Sequence, residues 1–165
     1  MLNPRRIKLV SMILAIHVLI CFAIVKTEAQ EIEDLKQVIR KFSDDSQVHQ
    51  NAIESLVDLG KPAVSTLIQA LQDQDVRRRV ALALGEIGSV DAVPALIQAL
   101  QDQDAKVRVS VALALGKIGS VDAVPALIQA LQDKDINVRA SATRALKEIG
   151  TLGALNAVKG YESRQ

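Results

Sequence analysis

The chain has 165 residues, of which 49% are hydrophobic, 24% charged and only 2% aromatic. This composition is typical of a globular protein and excludes a disordered, collagen-like or disulfide-rich chain. Residues 31–165 carry 16 Lys and Arg against 18 Asp and Glu, so they lack the strongly basic face that nucleic-acid binding favours. Three aromatic residues offer no stacking platform for bases. We therefore expect no nucleic-acid partner.

Residues 1–30 are predicted to be an export segment and not part of the fold. Three cations precede an uncharged apolar stretch, residues 9–25, which is the pattern of a secretory signal. Its 17 residues would give about 25 Å of helix, a little short of the roughly 30 Å hydrocarbon core of a membrane. Cleavage after Ala29, a retained amino-terminal anchor and an incidental apolar tail all remain open. The first two place residues 31–165 outside the cytoplasm, periplasmic or secreted, with membrane contact only through residues 9–25 if the segment is uncleaved.

Residues 31–165 contain no cysteine and one histidine, His49. Disulfides and thiolate metal sites are therefore excluded from this part. A catalytic triad, a zinc site or a haem site would have to start from His49. Polar Gln50 and Asn51 follow His49, which is predicted to be a solvent-facing helix residue. The sequence thus predicts no catalytic, cofactor-binding or metal-ligating residue.

Two amphipathic helices are predicted between residues 31 and 59, because apolar residues recur at helical spacing. The first apolar face comprises Ile32, Leu35, Ile39 and Phe42, and the second comprises Val48, Ala52, Ile53 and Leu56.

The strongest signal is an internal repeat of 31 residues. Residues 88–104 and 119–135 are identical at 16 of 17 positions, and a looser copy covers residues 60–75. A fixed period of this size is typical of a solenoid, in which each unit buries its apolar face by stacking on the next.

The first helix of each repeat is predicted to begin at an aspartate, Asp91 or Asp122, that caps its amino terminus. Pro94 and Pro125 then lie in the first turn, where a missing N–H costs nothing. The apolar residues that follow keep the spacing of one helical face; in the middle copy they are Val93, Leu96, Ile97 and Leu100.

The second helix of the middle repeat is predicted to start after Asp104, a capping residue, and to end at Gly119 in a left-handed conformation. Its apolar face comprises Val107, Val111, Leu115 and Ile118. Small residues such as Gly116 would let neighbouring second helices approach closely. The copy after Asp75 lacks two residues, which predicts a tighter turn between its helices.

Together these elements predict an all-α fold, an α-solenoid of short helical pairs preceded by the apolar segment. The repeat domain would cover residues 31–160, with about four helical pairs and a half-unit at 151–160. Residues 161–165 would form a polar tail.

Acidic and arginine residues recur at one place in each repeat and are interpreted as a structural ladder along the inter-helix turns. The recurring acids and arginines are Asp73, Asp75 and Arg77, then Asp102, Asp104 and Arg108, then Asp133, Asp135 and Arg139. The predicted ladder comprises Asp75, Arg77, Asp104, Arg108, Asp135 and Arg139.

Other positions on the second helices differ between repeats and are the candidates for partner binding. The small or aliphatic residues of one copy are replaced by cations in another, at Arg78, Arg79, Arg144 and Lys147. If the second helices line the concave face of the solenoid, these cations would meet an acidic or extended partner. The alternative is that they belong to an ordinary solvated helix face.

The paired helices with Asp-x-x-Val-Arg and Ala-Leu-Gly motifs, clearest in residues 60–165, resemble the phycobilisome-lyase-type HEAT-like repeats. The resemblance implies a right-handed α-solenoid of short HEAT-like helical pairs, of the kind found in bilin lyase subunits, in deoxyhypusine hydroxylase and in many scaffolds and adaptors. The hydroxylase holds iron through His-Glu pairs, and this chain has none. The function predicted is a non-catalytic protein-binding scaffold outside the cytoplasm. The alternatives are a lyase-like accessory or other cofactor-dependent enzyme subunit, and a structural spacer.

Overall fold

The computed structural model describes Gln30 and residues 61–164. Residues 61–164 form seven α-helices and no strand: α1 Lys61–Ala70, α2 Arg77–Ile87, α3 Val93–Ala99, α4 Ala105–Ile118, α5 Val124–Ala130, α6 Ile136–Ile149 and α7 Leu152–Glu162. Short 3-10 turns at Val90–Ala92 and Val121–Ala123 precede α3 and α5. The all-α fold predicted from the repeat is confirmed.

The helices form two layers. The second-helix layer consists of α2, α4 and α6, which pack side by side, and the first-helix layer consists of α1, α3, α5 and α7. Each of α1, α3 and α5 packs against the second helix that follows it, and α7 packs on α6 and α5. The structure therefore describes three helical pairs and the half-unit of a solenoid.

The first helices bury the apolar face that their spacing predicts. In α3, Val93, Leu96 and the following Leu100 are at most 5% exposed. Pro94 lies in the first turn as expected. The prediction that Asp91 caps this helix was wrong. A 3-10 turn precedes the α-helix, and the capping residue is Ser89, two residues before Asp91. The hydroxyl of Ser89, not the carboxylate of Asp91, accepts a backbone N–H there at 3.4 Å.

The equivalent turn of the next repeat has the same arrangement. The Ser120 hydroxyl accepts the N–H of Asp122 at 3.3 Å, and Pro125 lies in the first turn of α5. A side-chain cap on the turn satisfies an otherwise orphaned amide before the α-helix begins.

Helix α4 starts and ends as predicted, and α6 repeats the same pattern. The Asp104 carboxylate accepts the N–H of Lys106 at 2.8 Å, and the Asp135 carboxylate accepts that of Asn137 at 2.8 Å. Each helix ends at a glycine with positive φ, 72° at Gly119, a conformation that other residues rarely adopt.

The missing residues of the first copy shorten its second helix and not its turn. The segment between α1 and α2 has six residues, 71–76, against five between α3 and α4, so the prediction of a tighter turn was wrong. Helix α2 has 11 residues where α4 has 14, and no side chain caps its start.

Two glycines permit the close packing of the second-helix layer. A Cβ at Gly85 would lie 2.7 Å from the Cα of Ala114, and a Cβ at Gly116 would lie 2.8 Å from the Cα of Ala145. Both distances are far below van der Waals contact. The predicted role of small residues in helix approach is thereby confirmed.

Helix α7 extends two residues beyond the predicted end of the repeat domain at 160. Tyr161 packs against the core, and its hydroxyl accepts a hydrogen bond from Nε of Arg139 at 3.2 Å. Because Tyr161 lies in the helix, the predicted polar tail at 161–165 starts too early.

Several predictions concern residues that the structure does not describe. Three predictions lie outside the described residues: the apolar stretch of the export segment at 9–25, the helical pair in 31–59, and the role of His49. Among the described helices, none has the length and apolar character needed to cross a bilayer.

Candidate functional site

The second helices present equivalent residues side by side on their exposed face. Because the repeat keeps the same helical register, positions separated by one turn form three rows across α2, α4 and α6. The rows are Arg78, Val109 and Ala140, then Leu82, Leu113 and Arg144, then Glu86, Lys117 and Glu148. All nine side chains are exposed or half-buried. We call this surface the second-helix face.

A groove of about 290 Å³ crosses the second-helix face. Its lining residues are Leu82, Glu86, Leu113, Ala114, Lys117, Arg144 and Glu148. Leu82 and Leu113 are half-buried and Ala114 is buried, so the floor of the groove is aliphatic.

Two ion pairs flank this floor. Lys117 of α4 donates to the Glu86 carboxylate of α2, and Nε of Arg144 donates to the Glu148 carboxylate at 2.9 Å along α6. The Arg144 side chain is 68% exposed. Ion pairs this exposed contribute at most about 1 kcal/mol, so an incoming group can displace them at little cost.

The structure separates the four cations predicted to bind a partner. Arg144 lines the groove, and Arg78 lies one turn before Leu82 on the same face of α2. Arg79 occupies the repeat position of Ser110, which lies one turn before Ala114 on the side of α4 that faces α2. Lys147 lies at the other end of the layer. The four therefore do not form one cluster.

Lys147 takes the position that Gly85 and Gly116 hold in the earlier second helices. Those glycines face the next helix of the layer, whereas no further second helix follows α6 in residues 150–164. The Lys147 ammonium instead donates to the Glu162 carboxylate of α7 at 2.7 Å.

Sequence reasoning missed the floor of the groove and its acidic and lysine side chains. No role is predicted from the sequence for Leu82, Leu113, Glu86, Lys117 or Glu148. The available signal was their recurrence one helical turn apart at equivalent positions of three repeats, which places side chains on one face.

The acid-arginine ladder runs between repeats. Nε and Nη2 of Arg108 donate to the two carboxylate oxygens of Asp133, one repeat further on, at 2.7 and 2.8 Å. Nη1 of Arg108 donates to the carbonyl oxygens of Asp102 and Gln103 at 2.7 and 3.1 Å. One guanidinium thus joins the inter-helix turns of two consecutive repeats.

The other two arginines make related contacts. Arg77 pairs with Asp102 at 3.0 Å, again with the acid of the next repeat. Nη1 of Arg139 donates to the carbonyl oxygens of Asp133 and Lys134 at 2.8 and 3.1 Å. Its Nε meets the Tyr161 hydroxyl, which takes the place that an aspartate holds in the earlier repeats.

The acids that pair with the arginines are not the predicted ones, which were Asp75, Asp104 and Asp135. Asp102 and Asp133, the first acid of each Asp-x-Asp pair, accept the arginines, whereas Asp104 and Asp135 cap helices. In the first copy, the N–H of exposed Asp75 donates to the Asp73 carboxylate at 3.0 Å. The ladder depends on which turns are adjacent in the stack, and chain order alone does not give that.

Pairing shifts the pKa values of both Arg108 and Asp133. The hydrogen bonds from Arg108 lower the pKa of Asp133, and the same bonds raise the pKa of Arg108. The pair lies in the wall of a polar cleft of about 700 Å³ between the turns of two repeats. Arg108 and Asp133 are hydrogen-bonded to each other and to the backbone of the turns, so these polar side chains hold the two repeats together. The groove is therefore the better candidate for binding a partner.

Within residues 61–164, no three His, Cys, Asp or Glu side chains lie close enough together to hold a metal ion.

Comparison with known proteins identifies the family. The family model described as HEAT repeats matches residues 32–108 and 93–161, which together cover most of the chain. The chain belongs to the HEAT-repeat family. The match begins within the region where the first helical pair was predicted, and the resemblance to HEAT-like repeats is confirmed.

Solved structures share this HEAT-repeat fold. The complex of CpcE and CpcF of phycocyanin lyase from Nostoc sp. PCC7120 matches at 24% identity and a TM-score of 0.54, over 77% of this chain and 62% of that chain. Human deoxyhypusine hydroxylase in complex with glycerol matches at 25% identity and 0.54, over 85% and 47%. An engineered protein matches at 26% identity and 0.53, over 80% and 68%.

The HEAT-repeat chain spans less than two thirds of the length of the first two of these proteins. A search of curated proteins finds no significant match. The likenesses therefore establish the solenoid fold that these proteins share.

Proposed function

We propose that this HEAT-repeat protein is a non-catalytic scaffold that binds a segment of a partner protein in the groove of the second-helix face. The observation that carries the proposal is the aliphatic floor of Leu82 and Leu113, left half-exposed between two exposed ion pairs. Apolar side chains bordered by polar ones are typical of protein interaction sites.

Covering the exposed part of the two leucines would supply part of the binding energy. At about 25 cal/mol per Å² of apolar surface, a partner side chain placed on both would contribute roughly 1–2 kcal/mol. The flanking ion pairs would then fix its orientation more than its affinity.

The test is crosslinking of the full chain in its own host, followed by capture of bound proteins. We expect a specific partner with the wild type and its loss with the double variant Leu82→Asp and Leu113→Asp. The matched control is Val90→Asp with Val121→Asp, which adds the same charges at exposed aliphatic positions outside the groove. Equal capture by both double variants would contradict a role for the groove.

The proposed location is outside the cytoplasm, periplasmic or secreted. It is supported by the three cations and the uncharged stretch of residues 9–25, the pattern of a secretory signal. Cell fractionation with intact mass measurement tests it. A mass corresponding to cleavage after Ala29, or a full-length chain in the membrane fraction with its repeats accessible from outside, is expected; a full-length chain in the cytosol would contradict it.

The alternative, a lyase-like accessory or other cofactor-dependent subunit, predicts a bound chromophore or metal. Visible absorbance or a stoichiometric metal in the full chain purified from its host would favour this alternative over the scaffold.

A further inference from the structure

The second-helix face carries guanidinium N–H groups that no acceptor in residues 61–164 engages. Glu86 and Glu148 each accept from a cation, Lys117 and Arg144 respectively. Arg144 uses only Nε for this bond, and its Nη1 and Nη2 donate to no residue in 61–164. The exposed side chain of Arg78 likewise makes no hydrogen bond or ion pair with a residue of this described range.

Resting on the proposed function, we infer that the partner segment is acidic. An aliphatic side chain of the segment lies on Leu82 and Leu113, and carboxylates on either side bind the guanidinium groups of Arg78 and Arg144. A guanidinium binds a carboxylate through two parallel hydrogen bonds, which makes arginine more selective for this group than lysine. The groove thereby selects charge as well as shape.

The geometry of the layer sets the spacing of the acids. Closely packed helices lie roughly 8 Å apart, so Arg78 on α2 and Arg144 on α6 are separated by two such steps and by about 5.4 Å, one turn, along the axis. The diagonal is roughly 17 Å, which an extended chain spans in about five residues at about 3.3 Å each. The aliphatic residue lies between the two acids.

The test measures binding of fluorescent synthetic peptides to the full chain in detergent micelles. The acidic peptide has two glutamates five positions apart, two leucines between them, and serine and glycine elsewhere. In the second peptide glutamine replaces both glutamates, and in the third lysine replaces them. The protein variants are R78E/R144E and the control K159E, which reverses an exposed cation of α7 away from the groove.

We expect saturable binding of the acidic peptide, with affinity at least about tenfold lower for the glutamine peptide because charge-assisted hydrogen bonds are lost. R78E/R144E should lose the acidic peptide and gain affinity for the lysine peptide, whereas K159E should behave as the wild type. Added salt should weaken binding of the acidic peptide more than binding of the glutamine peptide, because salt screens the charged contacts.

Equal affinity for the glutamate and glutamine peptides would overturn the inference, as would no saturable binding of the acidic peptide. An equal loss with K159E would overturn it too, because the effect would then be one of total charge. In each case the scaffold proposal stands or falls separately, on whether capture depends on Leu82 and Leu113.

Discussion

At the residue scale, Asp133 connects one repeat to the next. Its carboxylate accepts two bonds from Arg108 and one from the N–H of Asp135, the last at 2.8 Å. Arg108 is only 5% exposed. A guanidinium this buried must be paired, because an uncompensated buried charge is strongly destabilising.

Replacing Asp133 by Asn should therefore lower the free energy of unfolding by about 2–4 kcal/mol. The amide cannot accept both bonds from Arg108 and leaves its charge uncompensated. The matched control is Asp135→Asn, where an amide caps a helix nearly as well as a carboxylate, so the loss should be under about 1 kcal/mol. Urea denaturation followed by circular dichroism measures both, and similar losses would contradict the pairing.

The same pair predicts how stability changes with pH. Arg108 lowers the pKa of Asp133 in the folded protein, so ionised Asp133 contributes stability above its unfolded pKa of about 3.9, and this contribution is lost as pH falls through the lower folded value. The difference in unfolding free energy between wild type and Asp133→Asn should be constant near neutral pH and shrink below about pH 4. Urea titrations at several pH values test this, and a difference that grows on acidification is the opposite result.

At the element scale, the glycines of the second helices determine how closely the layer packs. Gly116 lies against the backbone of Ala145, whose Cα cannot move without displacing α6. By contrast, a Cβ at Gly160 in α7 would meet nothing within 4 Å. Replacing glycine by alanine should therefore lower the free energy of unfolding at Gly116 and raise it at Gly160.

Gly116→Ala should lower the free energy of unfolding by about 1–3 kcal/mol through overpacking. Gly160→Ala should raise it by up to about 1 kcal/mol, because alanine favours helix more than glycine does. Thermal and urea unfolding of the two variants compare them directly. A stabilising Gly116→Ala would mean that α4 and α6 do not approach as described.

What could be predicted from the sequence was mostly local within one repeat. The apolar faces, the cap at Asp104 and the left-handed Gly119 depend on residues a few positions apart. The pairing of Arg108 with Asp133 spans 25 positions and depends on how turns stack. The missing residues after Asp75 could shorten either a turn or a helix, and spacing alone does not distinguish them.

The site was less predictable than the fold for the same reason. Differences between repeats pointed to Arg144, which lines the groove, but equally to Lys147, which packs against α7 through Glu162. Only the three-dimensional stack shows which variable side chains line the groove and which lie away from it.

At the scale of the whole molecule, the two layers have different roles. The described first helices contribute a large part of the buried core, with Leu67, Leu96 and Leu127 fully buried. The second helices bury one side and present the other as the second-helix face. In a solenoid of this kind each repeat adds further exposed surface. The side chains on the second-helix face therefore determine which partner the protein can bind.

The most direct test of this account is site-specific photocrosslinking in the host, with a photoreactive side chain at position 113 in the groove or at position 121 on an exposed turn. Val121 is 59% exposed, and half-buried Leu113 lines the open groove, so a photoreactive side chain at either position can reach a bound protein. The account predicts a discrete crosslinked partner from position 113 and none from position 121. The same partner from both positions, or none from position 113, would contradict binding in the groove.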